Sequence, residues 1–186
     1  MSYGACHQFL LSLSSAAALL PHNGAMDPNA SALLQRLLHE RPVAALATLH
    51  RDEPAISMVP FVLWPSEMQL LVHVSALASH TRDMLDHPRV GVLVTAEVDG
   101  SVSPQALPRV SLVADAVPLE LDGSAYLDAR ERYLARFPDA AQTFALGDFS
   151  MFALSLQSAR LIAGFGRAHS LAGESLKAVL RGLPAA

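Results

Sequence analysis

Val43-Ala44-Ala45-Leu46-Ala47-Thr48-Leu49-His50-Arg51-Asp52-Glu53-Pro54-Ala55-Ile56-Ser57-Met58-Val59-Pro60-Phe61-Val62-Leu63 reads as two extended apolar segments about a charged turn. The first segment is apolar on both faces, and the Arg51-Asp52-Glu53-Pro54 cluster interrupts it where a hairpin turn belongs. Downstream, Trp64-Pro65-Ser66-Glu67 marks a second turn. Met68 to Val74 then alternates, with Leu70, Val72 and Val74 on one face and Gln69 and His73 on the other. Three adjacent antiparallel strands follow from this reading.

Upstream, Pro28 sits where a first helical turn tolerates it, and Leu33, Leu34, Leu37 and Leu38 form one stripe at helical spacing that must stop before Pro42. Downstream, a short helix is expected over His80 to Asp86, strands over Val90 to Glu97 and Arg109 to Val117, and a loop over Val98 to Pro108. The longest helix is expected from Gly123 to Arg136, with Tyr126, Arg130, Tyr133, Leu134 and Phe137 along one stripe. Met151 to Gln157 and Arg160 to Phe165 are expected as a final strand pair, and Ala172 to Arg181 as a C-terminal helix. Six or seven short antiparallel strands with late helices predict a mainly β, α+β domain closed into a barrel, because closure removes exposed edges. Parallel βαβ alternation and a Gly-x-Gly-x-x-Gly turn are both absent, so no dinucleotide fold is indicated.

Composition narrows the function classes. In 186 residues, 52% are apolar and 16% charged, which suits one domain with a large core and, since several strands are apolar on both faces, a homodimer. The net charge of -4 disfavours nucleic acid or anionic membranes as partners. Cys6 stands alone, so an internal disulfide and a multi-cysteine metal site are excluded, and a reducing cytoplasm is expected. The apolar run Phe9 to Leu20 lacks the basic start and cleavage pattern of an export signal and is too short to span a membrane. Residues 1–26 are therefore expected as a loosely ordered extension, and 27–186 as the folded domain. A nucleophile elbow, a phosphate loop and zinc-helix spacing are all missing; His80, Asp83 and His87 suit a solvated helix face.

Two segments carry more information. In Ser57-Met58-Val59-Pro60-Phe61 a proline sits inside a strand, which marks an edge whose free backbone groups suit the polar rim of a flat heterocycle; an ordinary rim bulge is the alternative. In Ser79-His80-Thr81-Arg82, at a helix start, free amides, a hydroxyl and a guanidinium suit a phosphate; a simple helix cap is the alternative.

Taken together with Val43 to Leu49, Asp86-His87-Pro88-Arg89-Val90, Gly147-Asp148-Phe149 and Gly164-Phe165-Gly166-Arg167-Ala168-His169, these segments resemble the FMN-binding split barrels related to pyridoxamine 5'-phosphate oxidase, and within them the heme-utilisation branch. The resemblance runs from about Leu33 to Leu171. It implies a homodimeric split β-barrel, an FMN cofactor held by Ser57 to Phe61 and by Ser79 to Arg82, and a flavin-dependent oxidoreductase acting on a small molecule. The oxidases' phosphate-binding Arg-Lys pair corresponds to Ser79-His80, so both cations are replaced. Their flavin-contacting Gln corresponds to Arg109, for which a rim salt bridge to Asp115 or Asp99 is the alternative. Their Trp-containing end and Arg-Leu-x-Pro tail have no counterpart here, which disfavours pyridoxamine phosphate as the substrate. The heme branch implies instead a heme-binding or heme-degrading protein, with His169 as axial ligand to iron and Arg167 against a propionate. A non-catalytic ligand-storage module is a third class.

Overall fold

The computed structural model describes residues 26–182, so the expectation for residues 1–25 lies outside the described residues. Helix α1 (Pro28–Glu40) starts under an Asp27 cap, whose Oδ1 accepts the Ala30 amide at 2.9 Å, and ends before Pro42 as expected. Strands β1 (Val43–His50) and β2 (Glu53–Pro60) form the expected hairpin. Its two loop residues, Arg51 and Asp52, both take positive φ (53° and 65°), the geometry whose twist matches the flanking strands. β3 (Val62–Trp64), a 3-10 turn at Pro65–Glu67 and β4 (Gln69–Ser75) make the second hairpin.

The remaining elements are α2 (Ser79–Asp86), β5 (Arg89–Thr95), β6 (Arg109–Pro118), α3 (Ser124–Arg136), α4 (Ala141–Phe144), β7 (Phe149–Gly164), β8 (Arg167–Ala172) and α5 (Gly173–Arg181). Pairing runs β2-β1-β5-β6-β7-β4-β3, all antiparallel, with β8 added to β7. The first and last strands of that order are consecutive in the chain. Only Phe61 separates β2 from β3, so a single bent residue joins the two edges and curls the sheet into a split barrel. Phe61 is fully buried, and its amide donates to the Pro42 carbonyl at 3.2 Å.

Two expectations need correction. Ser158-Ala159 is not a turn: β7 continues through it as one sixteen-residue strand. Its first half pairs with β4, from Phe149 to Ser155, and its second half with β8, from Ser158 to Gly164. At the changeover Val113 faces Ser158 while Ala114 faces Leu156, so Gln157 is an extra, bulged residue. A bulge bends a strand without ending it, and in the sequence it resembles a turn. The break at Phe61 and the unforeseen β8 raise the strand count to eight. In α3 the buried positions are Ala129 and Tyr133, whereas Arg130 is exposed with its guanidinium 5.3 Å from the Phe144 ring; α4, absent from the sequence reading, draws it outward.

Inward residues of the strands, among them Leu46, Val59, Leu70, Val92, Val110 and Leu161, share one core with Leu34, Leu37 and Leu38 of α1 and Leu176 and Leu180 of α5. The outer face is treated unequally. Over β3, β4 and β7 it is covered by α3, with Trp64, Leu71, Met151, Ala129 and Tyr133 in a second core. Over β2, β1, β5 and β6 it is bare among the described residues, and Ile56 (77%), Met58 (67%), Leu49, Leu93 and Val113 are exposed there. Register places these side chains together: Ala45 stands between Met58 and Leu93, and Ala47 between Ile56 and Gly91. No helix among the described residues is long and apolar enough to cross a membrane.

Phe61 is expected to be the costliest single position of the barrel. Phe61→Ala should lower unfolding free energy by about 3 to 5 kcal/mol in a denaturant titration, because it empties the joint that both edges share.

Candidate functional site

Pro54 and Pro60 fall at the same parity in β2, on the side exposed to solvent. Proline has no amide hydrogen, so this parity points to the edge away from β1, consistent with Phe61, at the opposite parity, donating toward the β1 side. The edge reading of Pro60 therefore stands. Of the expected segment, Val59 and Phe61 are buried in the core, and Met58 and Pro60 face outward. Ser57 alone faces α2.

There the two predicted segments do meet. His80 Nδ1 lies 3.1 Å from Ser57 Oγ. Burial holds the His80 imidazole below its ordinary value, against the opposing pull of Asp83. Beneath them Asp83, 3% exposed, accepts from Thr48 Oγ1 at 2.8 Å and pairs with His50 Nδ1 at 2.8 Å. Burial pushes the Asp83 carboxyl up, but these two partners outweigh it and leave it below the usual carboxylate range. The cluster pins α2 to β1.

The remaining residues of the segment are committed elsewhere. Thr81 is buried and donates to the Ser75 carbonyl at 2.6 Å. Arg82, with a 78% exposed side chain, pairs with Asp86 at 3.7 Å across one helical turn. Ser79 is exposed and makes no side-chain cap. A phosphate brought here would meet the buried Asp83 carboxylate and the exposed Arg82, whose 3.7 Å pair with Asp86 is loose. Arg109 Nη1 donates to the Leu107 carbonyl at 3.0 Å, which ties down the preceding loop. The alternative, a rim salt bridge to Asp115 or Asp99, is not formed among the described residues: Asp115 lies six residues along the same strand and pairs with Arg89 at 2.8 Å, and Asp99 accepts the Ser101 amide.

β8 brings a different group together. His169 stands opposite Leu161, on the face shared by Arg167 and the buried Leu171. Both reach Asp27: Arg167 Nη2 is 3.7 Å and His169 Nε2 4.0 Å from its Oδ2. At 4.0 Å there is no hydrogen bond, and among the described residues Nε2 is buried without a partner. An orphaned imidazole nitrogen beside a half-exposed guanidinium fits an iron ligand with a carboxylate partner. The Asp27 carboxyl is held below the ordinary range first by the Ala30 amide, with Arg167 and His169 adding to it.

Two conspicuous features are structural. A cleft of about 620 Å³ opens beside His39, Leu63, Glu131, Arg132 and Arg136, and none of the expected site residues lines it. Its guanidiniums are engaged: Arg136 donates to the carbonyls of His39 and Arg41, capping the end of α1, and Arg132 lies over Trp64. His73, which the sequence analysis placed only on a strand face, carries the larger perturbation. It is stacked on Phe144 at 3.7 Å, with Tyr133 and Phe149 around it, and burial lowers its pKa to about 4. A perturbed histidine is a site candidate, but one 8% exposed and enclosed by rings is a packing residue.

The pyridoxamine 5'-phosphate oxidase family model matches residues 30–163. The chloroplastic Non-canonical heme oxygenase HOZ of Arabidopsis thaliana is 32% identical over 125 residues, 67% of this chain and 36% of that protein. The chain thus spans about a third of that relative. The heme binding protein of Mycobacterium smegmatis superposes with a TM-score of 0.73 at 29% identity, over 82% of this chain and 62% of that one. HutZ, the heme storage protein of Vibrio cholerae, superposes with a TM-score of 0.61 at 24% identity over 72% and 92%, a likeness of fold alone.

His73 gives the fold an acid sensitivity of definite sign. The unfolded chain protonates this residue near 6.5 and the folded chain only near 4, so between those values protons favour unfolding. Stability should fall by up to about 3 kcal/mol from pH 7 to pH 4 through this residue, and His73→Phe should flatten that part of the profile in urea titrations across pH.

Proposed function

Because the chain belongs to the pyridoxamine 5'-phosphate oxidase family, within its heme-utilisation branch, we propose that it is a heme-binding protein whose axial iron ligand is His169. The observation that carries this reading is the buried, unpartnered Nε2 of His169 with Arg167 beside it on the same strand face. Heme, if bound, would supply an iron and two carboxylates. The strand supplies one imidazole and one guanidinium, the donor types that those groups take. β8 holds both by ladder pairing to β7, so their spacing is set by the backbone. The names of the Arabidopsis and Mycobacterium relatives support the same ligand.

A flavin-dependent oxidoreductase is the second reading. It is favoured by the contact of His80 with Ser57, which joins the two segments expected at the flavin, and disfavoured by the buried Thr81 and Asp83.

We also propose that two copies pair through the bare face of β2, β1, β5 and β6. Soluble monomers seldom leave a contiguous apolar sheet face of this kind in water, and side chains such as Ile56 and Met58 would be removed from it in a two-fold pair.

Hemin added to the purified protein should develop a Soret band. His169→Ala should abolish or shift it, and Arg167→Ala should weaken hemin binding by about tenfold or more, the loss of one charge-assisted contact. A protein that ignores hemin but quenches FMN fluorescence would reverse the order of the two readings.

Light scattering should return twice the 19.8 kDa chain mass, and Met58→Glu should shift the protein to that of a single chain. A wild-type monomer at micromolar concentration would refute the pairing.

A further inference from the structure

We propose that Asp27 is a built-in competitor for the ligand's carboxylate at Arg167, and that it thereby sets how tightly the β8 site binds; this rests on the heme reading above. The two oxygens of Asp27 have separate duties. Oδ1 accepts the Ala30 amide at 2.9 Å and caps α1, while Oδ2 faces Arg167 Nη2 at 3.7 Å and His169 Nε2 at 4.0 Å. The chain therefore offers Arg167 a carboxylate of its own, in the role that a heme propionate would take.

Asp27 is also held in place. Its cap bond belongs to a helix anchored in the core by Leu34, Leu37 and Leu38, so the carboxylate cannot turn away without uncapping α1. Its hold on Arg167 is loose by comparison, longer than a hydrogen bond and between half-exposed groups. A ligand carboxylate can displace such a contact, but it arrives beside a fixed like charge and loses affinity for that reason. The penalty falls on ligands that carry an acid and spares those that do not. Asp27 thus acts through Arg167 as a specificity-determining residue.

The test uses the charge without the cap. Asparagine caps helices as well as aspartate, so Asp27→Asn should leave the melting temperature unchanged and tighten hemin about three- to tenfold in a Soret titration. Asp27→Ser, which also caps, should do the same if the asparagine protein folds poorly. Hemin dimethyl ester, which has no free carboxylate, should bind both proteins equally, and in an Arg167→Ala background Asp27→Asn should gain little for hemin. If Asp27→Asn weakens hemin or leaves it unchanged while His169→Ala still removes the Soret band, the competitor role is overturned and the heme reading stands. If wild-type protein takes up no hemin, both fall.

Discussion

The bend at Phe61 is the constraint on which the rest of the molecule depends. A sheet of this pairing order has two edges, and here they are the two sides of one residue, so the chain itself holds the first strand against the last. The joint is filled and braced: the Phe61 ring is fully buried, its amide is bonded to Pro42, and the Arg136 guanidinium lies 5.9 Å from the ring centroid while donating to the end of α1. One aromatic side chain thus coordinates the barrel, the helix that enters it and the helix that covers its outside.

Local rules explain what the sequence made legible. The β1–β2 hairpin follows from a charged break between apolar runs, α1 from a proline and a leucine stripe, and the edge position of β2 from a proline inside a strand. Each is decided within a dozen residues. The misread places are decided by partners far along the chain. Gln157 looks like the end of a strand because a bulge and a turn share the same weak local pattern, and only its two successive partners, β4 and β8, carry β7 on through the bend. Arg130 was assigned to a buried stripe because α4 could not be foreseen.

The site divides in the same way. The family resemblance put Ser57 and Ser79 to Arg82 at one site, and the fold brings His80 against Ser57. What lies beneath them was not legible, because Asp83, Thr48 and His50 are joined by the fold. A buried carboxylate lies beneath that helix start, and no spacing in the sequence announces it. For His169 neither the strand nor the surroundings were visible: it lies inside β8 and not at a strand end, and no periodicity relates Asp27 to β8.

The double duty of β7 also governs the order of assembly. The β1–β2 hairpin closes over two residues and can form within microseconds, whereas β4 must find β7 across long stretches of chain, with Gln69 and Ser155 86 positions apart. Until β7 arrives, β4 and β6 both lack a neighbour, and β8 has none at all. The folding domain therefore passes through a state with several sticky strand borders, and its yield depends on how quickly the sixteen-residue β7 is delivered to both neighbours.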